Sequence, residues 1–132
     1  MRTLCLSAAI AGILLIPAWA AEVQWLPNFK AAQAQSRKTN KPVLAEFYAD
    51  WCGPCKMMAS TTFKDAEVAK LAQRFVPVRI NADKDKDLAL KYKAYALPYV
   101  VVIDAKGRVV RVCEGYRDAP GFSLFMRQSL PD

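Results

Sequence analysis

The run Glu46-Phe-Tyr-Ala-Asp-Trp-Cys-Gly-Pro-Cys-Lys56 constrains this chain more than any other stretch. An apolar, strand-prone segment leads straight into two cysteines spaced by Gly53 and Pro54, and a helical pattern follows. That order sets Cys52 at a helix N-terminus, where unpaired N–H groups and the helix dipole favour negative charge. The thiolate is the nucleophilic form of cysteine, so the position selects a reactive thiol. Cys55 lies one turn on, where it can close on Cys52 and expel a captured partner. The pattern is that of a dithiol that trades bonds with disulfides. The competing reading is a structural bridge, but a crosslink over so short a loop removes little chain entropy.

The chain has 132 residues and no histidine. A Cys-x-x-Cys pair otherwise suggests zinc, which wants four Cys, His or carboxylate ligands. Apart from Cys52 and Cys55, only Cys113 remains as a soft ligand once the N-terminal segment is set aside, so no metal is expected. The lack of histidine also excludes a Cys–His dyad of the protease type.

Residues 1–20 read as a signal peptide: Arg2, an apolar run over 4–16, Pro17, then Ala18-Trp19-Ala20 with small residues where a peptidase reads them. Cleavage is expected after Ala20. The run is short for a spanning helix, which needs roughly 20 apolar residues; a retained N-terminal anchor is the alternative. Cys5 begins the apolar run and would leave with the peptide. One domain, 21–132, remains. It exceeds the roughly 40 residues below which a domain usually needs crosslinks.

The formal charge of +7 is spread among Lys38, Lys41, Lys84, Lys86, Lys91, Lys93, Arg108 and Arg111, and interleaved with Asp83, Asp85 and Asp87. Scattered charge of this kind reads as a solvated surface, so no nucleic-acid partner is expected.

Periodicity predicts a short strand over 23–26 ended by Pro27, then a helix over 29–38 capped by Asn28, with Phe29 and Ala32 inward. Residues 43–48 form an apolar run interrupted only by Glu46, the pattern of a strand covered on both faces. The helix opened by Cys52 should break near Ser60-Thr61-Thr62, with a second helix beyond, and Met57 and Met58 packing inward. A strand over 76–81 and a charged helix over 83–95, packed through Leu88, Leu90 and Tyr92, come next. Two strands, 99–103 and 109–113, flank the hairpin signal Asp104-Ala-Lys-Gly107. The last helix, 119–130, carries Phe122, Phe125 and Met126 on one face. Strands alternating with helices, then a hairpin, predict an α/β fold: a mixed four- to five-stranded sheet with helices on both faces. Cys113 alternates with Val109 and Arg111, as a buried small hydrophobe would.

Over nearly all of 21–132 the sequence resembles the thioredoxin superfamily. Trp51-Cys52-Gly53-Pro54-Cys55-Lys56 resembles its active-site motif residue for residue. Leu97-Pro98-Tyr99 resembles the cis-proline loop that faces the dithiol and holds substrate backbone as an added strand. The resemblance implies a thioredoxin fold and a protein-disulfide oxidoreductase whose only redox group is the Cys52–Cys55 couple. It makes Cys52 the attacking thiol and Cys55 the resolving one. It puts Glu46 at the buried acid beneath the dithiol, where burial raises a carboxyl pKa and equips it to take the Cys55 proton. Arg79 stands where thioredoxins carry a lysine. An arginine does not lose its proton, which should leave the pair more firmly ionised. Trp51 would shield the site and Pro54 tune its potential. Tyr99 departs from the usual threonine after the proline, which would change substrate grip.

With the signal segment, the stretch Thr62-Phe-Lys-Asp-Ala-Glu-Val68 is similar to exported thioredoxin-like proteins and to the C-terminal domain of the disulfide reductase DsbD. This implies a periplasmic monomer that reduces disulfides of exported proteins and draws electrons from a membrane donor of the DsbD type. The Gly-Pro dipeptide agrees. Thioredoxin sits near about −270 mV and the oxidant DsbA near about −120 mV, a gap of roughly 7 kcal/mol for two electrons. The alternatives are an oxidant or isomerase, and a peptide-binding module on the same fold.

Overall fold

The computed structural model describes residues 22–132. The expected signal peptide, its cleavage point and Cys5 lie outside the described residues. At the centre stands β1 (Val43–Tyr48), which is buried along nearly its whole length. β2 (Val76–Asn81) pairs with it in parallel and β3 (Tyr99–Ile103) antiparallel. β4 (Val109–Glu114) continues antiparallel beside β3, so the order is β2-β1-β3-β4. A strand with neighbours on both sides and helices on both faces has no wet surface. This is why β1 reads as one apolar run instead of an alternation.

The short strand expected over 23–26 is only a single bridge between Leu26 and Val78. The Leu26 N–H donates to the Pro77 carbonyl at 2.8 Å, and Pro27 then has no N–H with which to extend the ladder. Among the described residues the sheet therefore has four strands. The hairpin at Asp104 forms as expected: its carboxylate accepts from the Lys106 and Arg108 N–H groups, and Gly107 takes a φ of 83°.

Side-chain alternation divides the core. Val43, Ala45 and Phe47 face α1 (Phe29–Thr39) and α4 (Lys86–Lys91), where they meet Ala32, Ala89 and Tyr92. Leu44, Val100 and Val102 face α2 (Gly53–Ser60), α3 (Ala66–Ala72) and α5 (Ala119–Gln128), where they meet Met58, Val68 and Phe122. Glu46, two residues from Leu44, shares this second face. Asn28 caps α1 by accepting the Ala31 N–H.

The break after Ser60 has a visible cause. The hydroxyls of Ser60 and Thr61 both donate to the Met57 carbonyl, and one turn of 3-10 helix, Thr62–Lys64, precedes α3. The charged helix is much shorter than expected. Asn81 accepts the Asp83 and Lys84 N–H groups in a turn, Asp85 caps the helix, and Lys93 at φ 59° lies beyond its end. The shorter helix buries Ala89 and leaves Leu90 exposed, and on α2 Met58 is buried while Met57 is exposed. Leu90 and Met57 are therefore not the packing residues their hydrophobicity suggested.

Phe122 is fully buried, with ring centroids of Phe63 and Phe125 at 5.4 and 5.6 Å. Phe122→Ala is expected to cost about 3–5 kcal/mol. Urea unfolding should show a lowered midpoint with an unchanged slope.

Candidate active site

β1 ends in the turn Ala49-Asp50-Trp51, which delivers Cys52 to the start of α2. The Cys52 N–H donates to the Ala49 carbonyl at 3.1 Å. Its extended backbone (φ −80°, ψ 104°) makes Cys52 the N-cap, and its Sγ accepts the Cys55 N–H at 3.2 Å. Pro54 sits in the first turn, where a missing N–H leaves no bond unmade. Cys52 and Cys55 are joined as a disulfide. Only 3% of Cys52 and 1% of Cys55 is exposed, so a partner must lie closely against the flanking loops to reach either sulfur. Around them Gly53, Pro54, Lys56 and Met57 are exposed. A Cβ built at Gly53 would meet nothing within 4 Å, which leaves that approach open.

Trp51 is 71% exposed, and its indole Nε1–H donates to Asp83 Oδ2 at 2.9 Å. Sequence reasoning missed Asp83. Its only sequence signal is an acid just after the strand that neighbours β1.

Leu97 packs against the small cluster of Ala49, Cys52 and Cys55. The Leu97–Pro98 bond is cis, and the Pro98 carbonyl accepts the Gly115 N–H at 2.8 Å. The loop singled out as Leu97-Pro98-Tyr99 thus reaches the dithiol through Leu97. Tyr99 does not share that contact. Its ring is buried in the opposite core against Phe47, centroids 6.2 Å apart, and burial pushes its phenol pKa up. Its side chain belongs to the core beneath the loop.

Glu46 has no exposed surface and lies in register with Arg79 on one side and Val100 on the other. Arg79 Nε donates to Glu46 Oε2 at 2.5 Å, while Oε1 has no partner among the described residues. Burial holds the carboxyl pKa above its ordinary 4.5 despite the opposing pull and hydrogen bond of Arg79. Desolvation of the carboxylate thus outweighs the attraction of the arginine. Arg79 in turn lies over the Tyr48 ring at 4.2 Å and the Trp25 ring at 5.9 Å. Neither aromatic contact was legible in the sequence.

Cys113 pairs with Val100 and is buried and free. Burial pushes its thiol pKa up, with Arg117 opposing, which suits a small core residue better than a nucleophile. Among the described residues no group of three or more His, Cys, Asp or Glu side chains is placed to hold a metal ion.

Residues 29–129 match a family described as a thioredoxin-like domain. The chain is 37% identical over 89 residues to protein disulfide isomerase-like 2-2 of Oryza sativa subsp. japonica, covering 67% of this chain and 24% of that protein. It is 30% identical to the thiol:disulfide interchange protein DsbD of Citrobacter koseri, covering 99% of this chain and 26% of that protein. It therefore spans about a quarter of the length of either relative. Among solved structures, the reduced C-terminal domain of Neisseria meningitidis DsbD superposes with a TM-score of 0.65 at 31% identity, covering 76% of this chain and 93% of that one. A helix-capping dithiol, a cis-proline loop against it and these matches converge: the chain belongs to the thioredoxin-like family.

Proposed function

We propose that this protein reduces disulfides of exported proteins through the Cys52–Cys55 dithiol. The observation that carries the reading is Cys52 Sγ at the α2 N-cap, accepting the Cys55 N–H at 3.2 Å. The same N–H and dipole would stabilise a thiolate once the bridge is open. In the first step that thiolate attacks one sulfur of a substrate disulfide. The substrate S–S bond breaks, one substrate thiolate leaves, and a mixed disulfide forms at Cys52. Cys55 then gives its proton to Glu46 and attacks Cys52 Sγ, releasing the second substrate thiolate. Two electrons pass to the substrate, and the protein is left with the Cys52–Cys55 bond.

Substrate backbone lies beside Pro98 as an added strand, with Leu97 against the sulfurs. Trp51, held by Asp83, and the open surface at Gly53 and Pro54 meet the visiting chain. Lys56 adds positive charge at the rim. No metal and no further cofactor enter these steps.

Residues 1–20 serve as a signal peptide cut after Ala20, and the domain 21–132 works in the periplasm as a monomer. The likeness to DsbD supports this placement. A dithiol that reduces substrates in an oxidising compartment must be recharged, and a membrane donor of the DsbD type would supply the electrons.

The potential of the couple tests the direction. Equilibration with glutathione buffers is expected to give a value near about −270 mV, and a value near about −120 mV would make the protein an oxidant. A variant with both cysteines replaced by serine should lose all activity; retained activity would favour a peptide-binding module.

A further inference from the structure

We propose that Trp25 and Tyr48 are positioning residues: they clamp the Arg79 guanidinium against one oxygen of Glu46, leaving the other oxygen as the atom that takes the Cys55 proton. The inference rests on the proton-accepting role given to Glu46 above and deepens it.

Arg79 binds Oε2 through its Nε at 2.5 Å, whereas Oε1, equally enclosed, meets no partner among the described residues. The two oxygens are therefore unequal: one is tied to a permanent cation and the other is open to receive a proton. That inequality lasts only while the guanidinium stays in place. The Arg79 side chain is 28% exposed, and a single hydrogen bond does not by itself keep such a group from water. Two aromatic faces do so. A guanidinium over a ring within about 6 Å is attracted by the ring's negative face, and its flat shape suits stacking. The Tyr48 ring lies at 4.2 Å and the Trp25 ring at 5.9 Å, so Tyr48 is the stronger jaw.

The two jaws come from different parts of the chain. Tyr48 follows Glu46 by two residues on β1 and so projects from the same face. Trp25 belongs to the segment before α1, which is fixed by the Leu26 bond to Pro77 and by the Val23 N–H donating to the Phe63 carbonyl at 3.3 Å. Trp25 also packs edge-on against the Phe63 ring, centroids 5.0 Å apart. The segment that fails to form a strand thus places a ring on Arg79. Beside it a cleft of about 170 Å³, lined by Trp25, Phe63, Lys64 and Arg79 among others, opens beside the guanidinium.

Few other ionisable groups face this site. Cys55 lies on α2, which covers the face; Cys113 is two strands away in the same row. Glu22 and Lys64 pair at 3.8 Å on the Trp25 side, and Lys84 and Asp85 border the Tyr48 side. None of these makes a hydrogen bond or ion pair with the carboxylate; among the described residues Arg79 makes that contact.

The test uses the reduced protein and an aromatic disulfide, dithiobis(nitrobenzoic acid). Thionitrobenzoate leaves in two phases, capture by Cys52 and then displacement by Cys55, and the second phase is followed from about pH 5 to about pH 9. The Glu46 carboxyl carbon is titrated in parallel by NMR. With the clamp opened, Arg79 swings into water and Glu46 loses the partner that lowers its pKa. Tyr48→Leu and Arg79→Leu should therefore move both midpoints upward and slow the second phase about 3- to 10-fold at neutral pH. Trp25→Leu should move them in the same direction by less. Tyr48→Phe keeps the ring and should restore the original midpoints. In an Arg79→Leu background, Tyr48→Leu should add no further shift.

If Arg79→Leu moves the NMR midpoint and neither aromatic variant does, the clamp is overturned. If Tyr48→Leu does not fold, Trp25→Leu decides the same question. The role of Glu46 fails separately, if Glu46→Gln leaves the second phase and its pH dependence unchanged; the NMR titration still judges the clamp.

Discussion

Protein carrying Cys55→Ser should stop after its first exchange and accumulate as a covalent adduct with its substrate. Cys52 still attacks, because its N-cap position owes nothing to the sulfur of Cys55: the bond it accepts comes from the Cys55 backbone N–H. Serine oxygen cannot close on a disulfide sulfur, so the captured chain stays attached. Turnover should fall to background, and non-reducing mass spectrometry should show about one substrate half per chain. Cys52→Ser should give neither turnover nor adduct, since Cys55 is 1% exposed and lies behind the cap. An adduct on Cys55 in that variant would reverse the order of the two thiols.

Replacing Glu46 by glutamine should change both rate and stability. On the proton-accepting role proposed for Glu46, Cys55 in the variant would lose its proton to water, and general-base effects of this kind are worth about 10²-fold or more. The stability effect follows from the direction of the pKa. Burial raises the folded value of Glu46 above its ordinary 4.5, so the folded chain holds this proton after the unfolded chain has released it. The contribution is fully present below about pH 4.5 and is lost as the pH rises through the folded value. It falls by about 1.4 kcal/mol for each pH unit in which the two states differ by that proton.

Asp104 works in the opposite sense. The Arg108 N–H, with the Arg108 side chain and the Lys106 N–H, holds its carboxyl low. The informative quantity is therefore the difference between wild type and Glu46→Gln in urea midpoints across the pH range. The variant should gain on the wild type as pH rises. A difference that stays flat or changes the other way would contradict the raised carboxyl.

Much of this was legible because it is local. The β1 run, the break at Ser60-Thr61, the Asn28 cap and the Asp104 hairpin each follow from side chains acting within a few residues of themselves. The four strands fell where β-branched and aromatic residues cluster. The elements that departed from expectation are those whose outcome depends on partners distant in sequence. The segment over 23–26 has strand-like residues, but Pro27 allows it one bridge. The helix over 83–95 has helical composition, yet the Asn81 turn delays its start and Lys93 lies past its end. Met57 and Leu90 look like core residues, and their neighbours Met58 and Ala89 are buried instead, because the sheet covers only one stripe of each helix.

By itself the sequence determined the chemistry: two thiols at a helix start, an acid in an apolar strand, no histidine, and a proline loop about forty residues on. Those are covalent and periodic properties, carried by residue type and spacing. The tertiary structure alone decided the environment. It fixed which oxygen of Glu46 is tied to Arg79, placed Trp25 and Tyr48 over the guanidinium, joined Trp51 to Asp83, and turned Tyr99 into the core. Each of these joins segments that only the packed sheet brings together, and desolvation and stacking exist only between groups that folding has made neighbours.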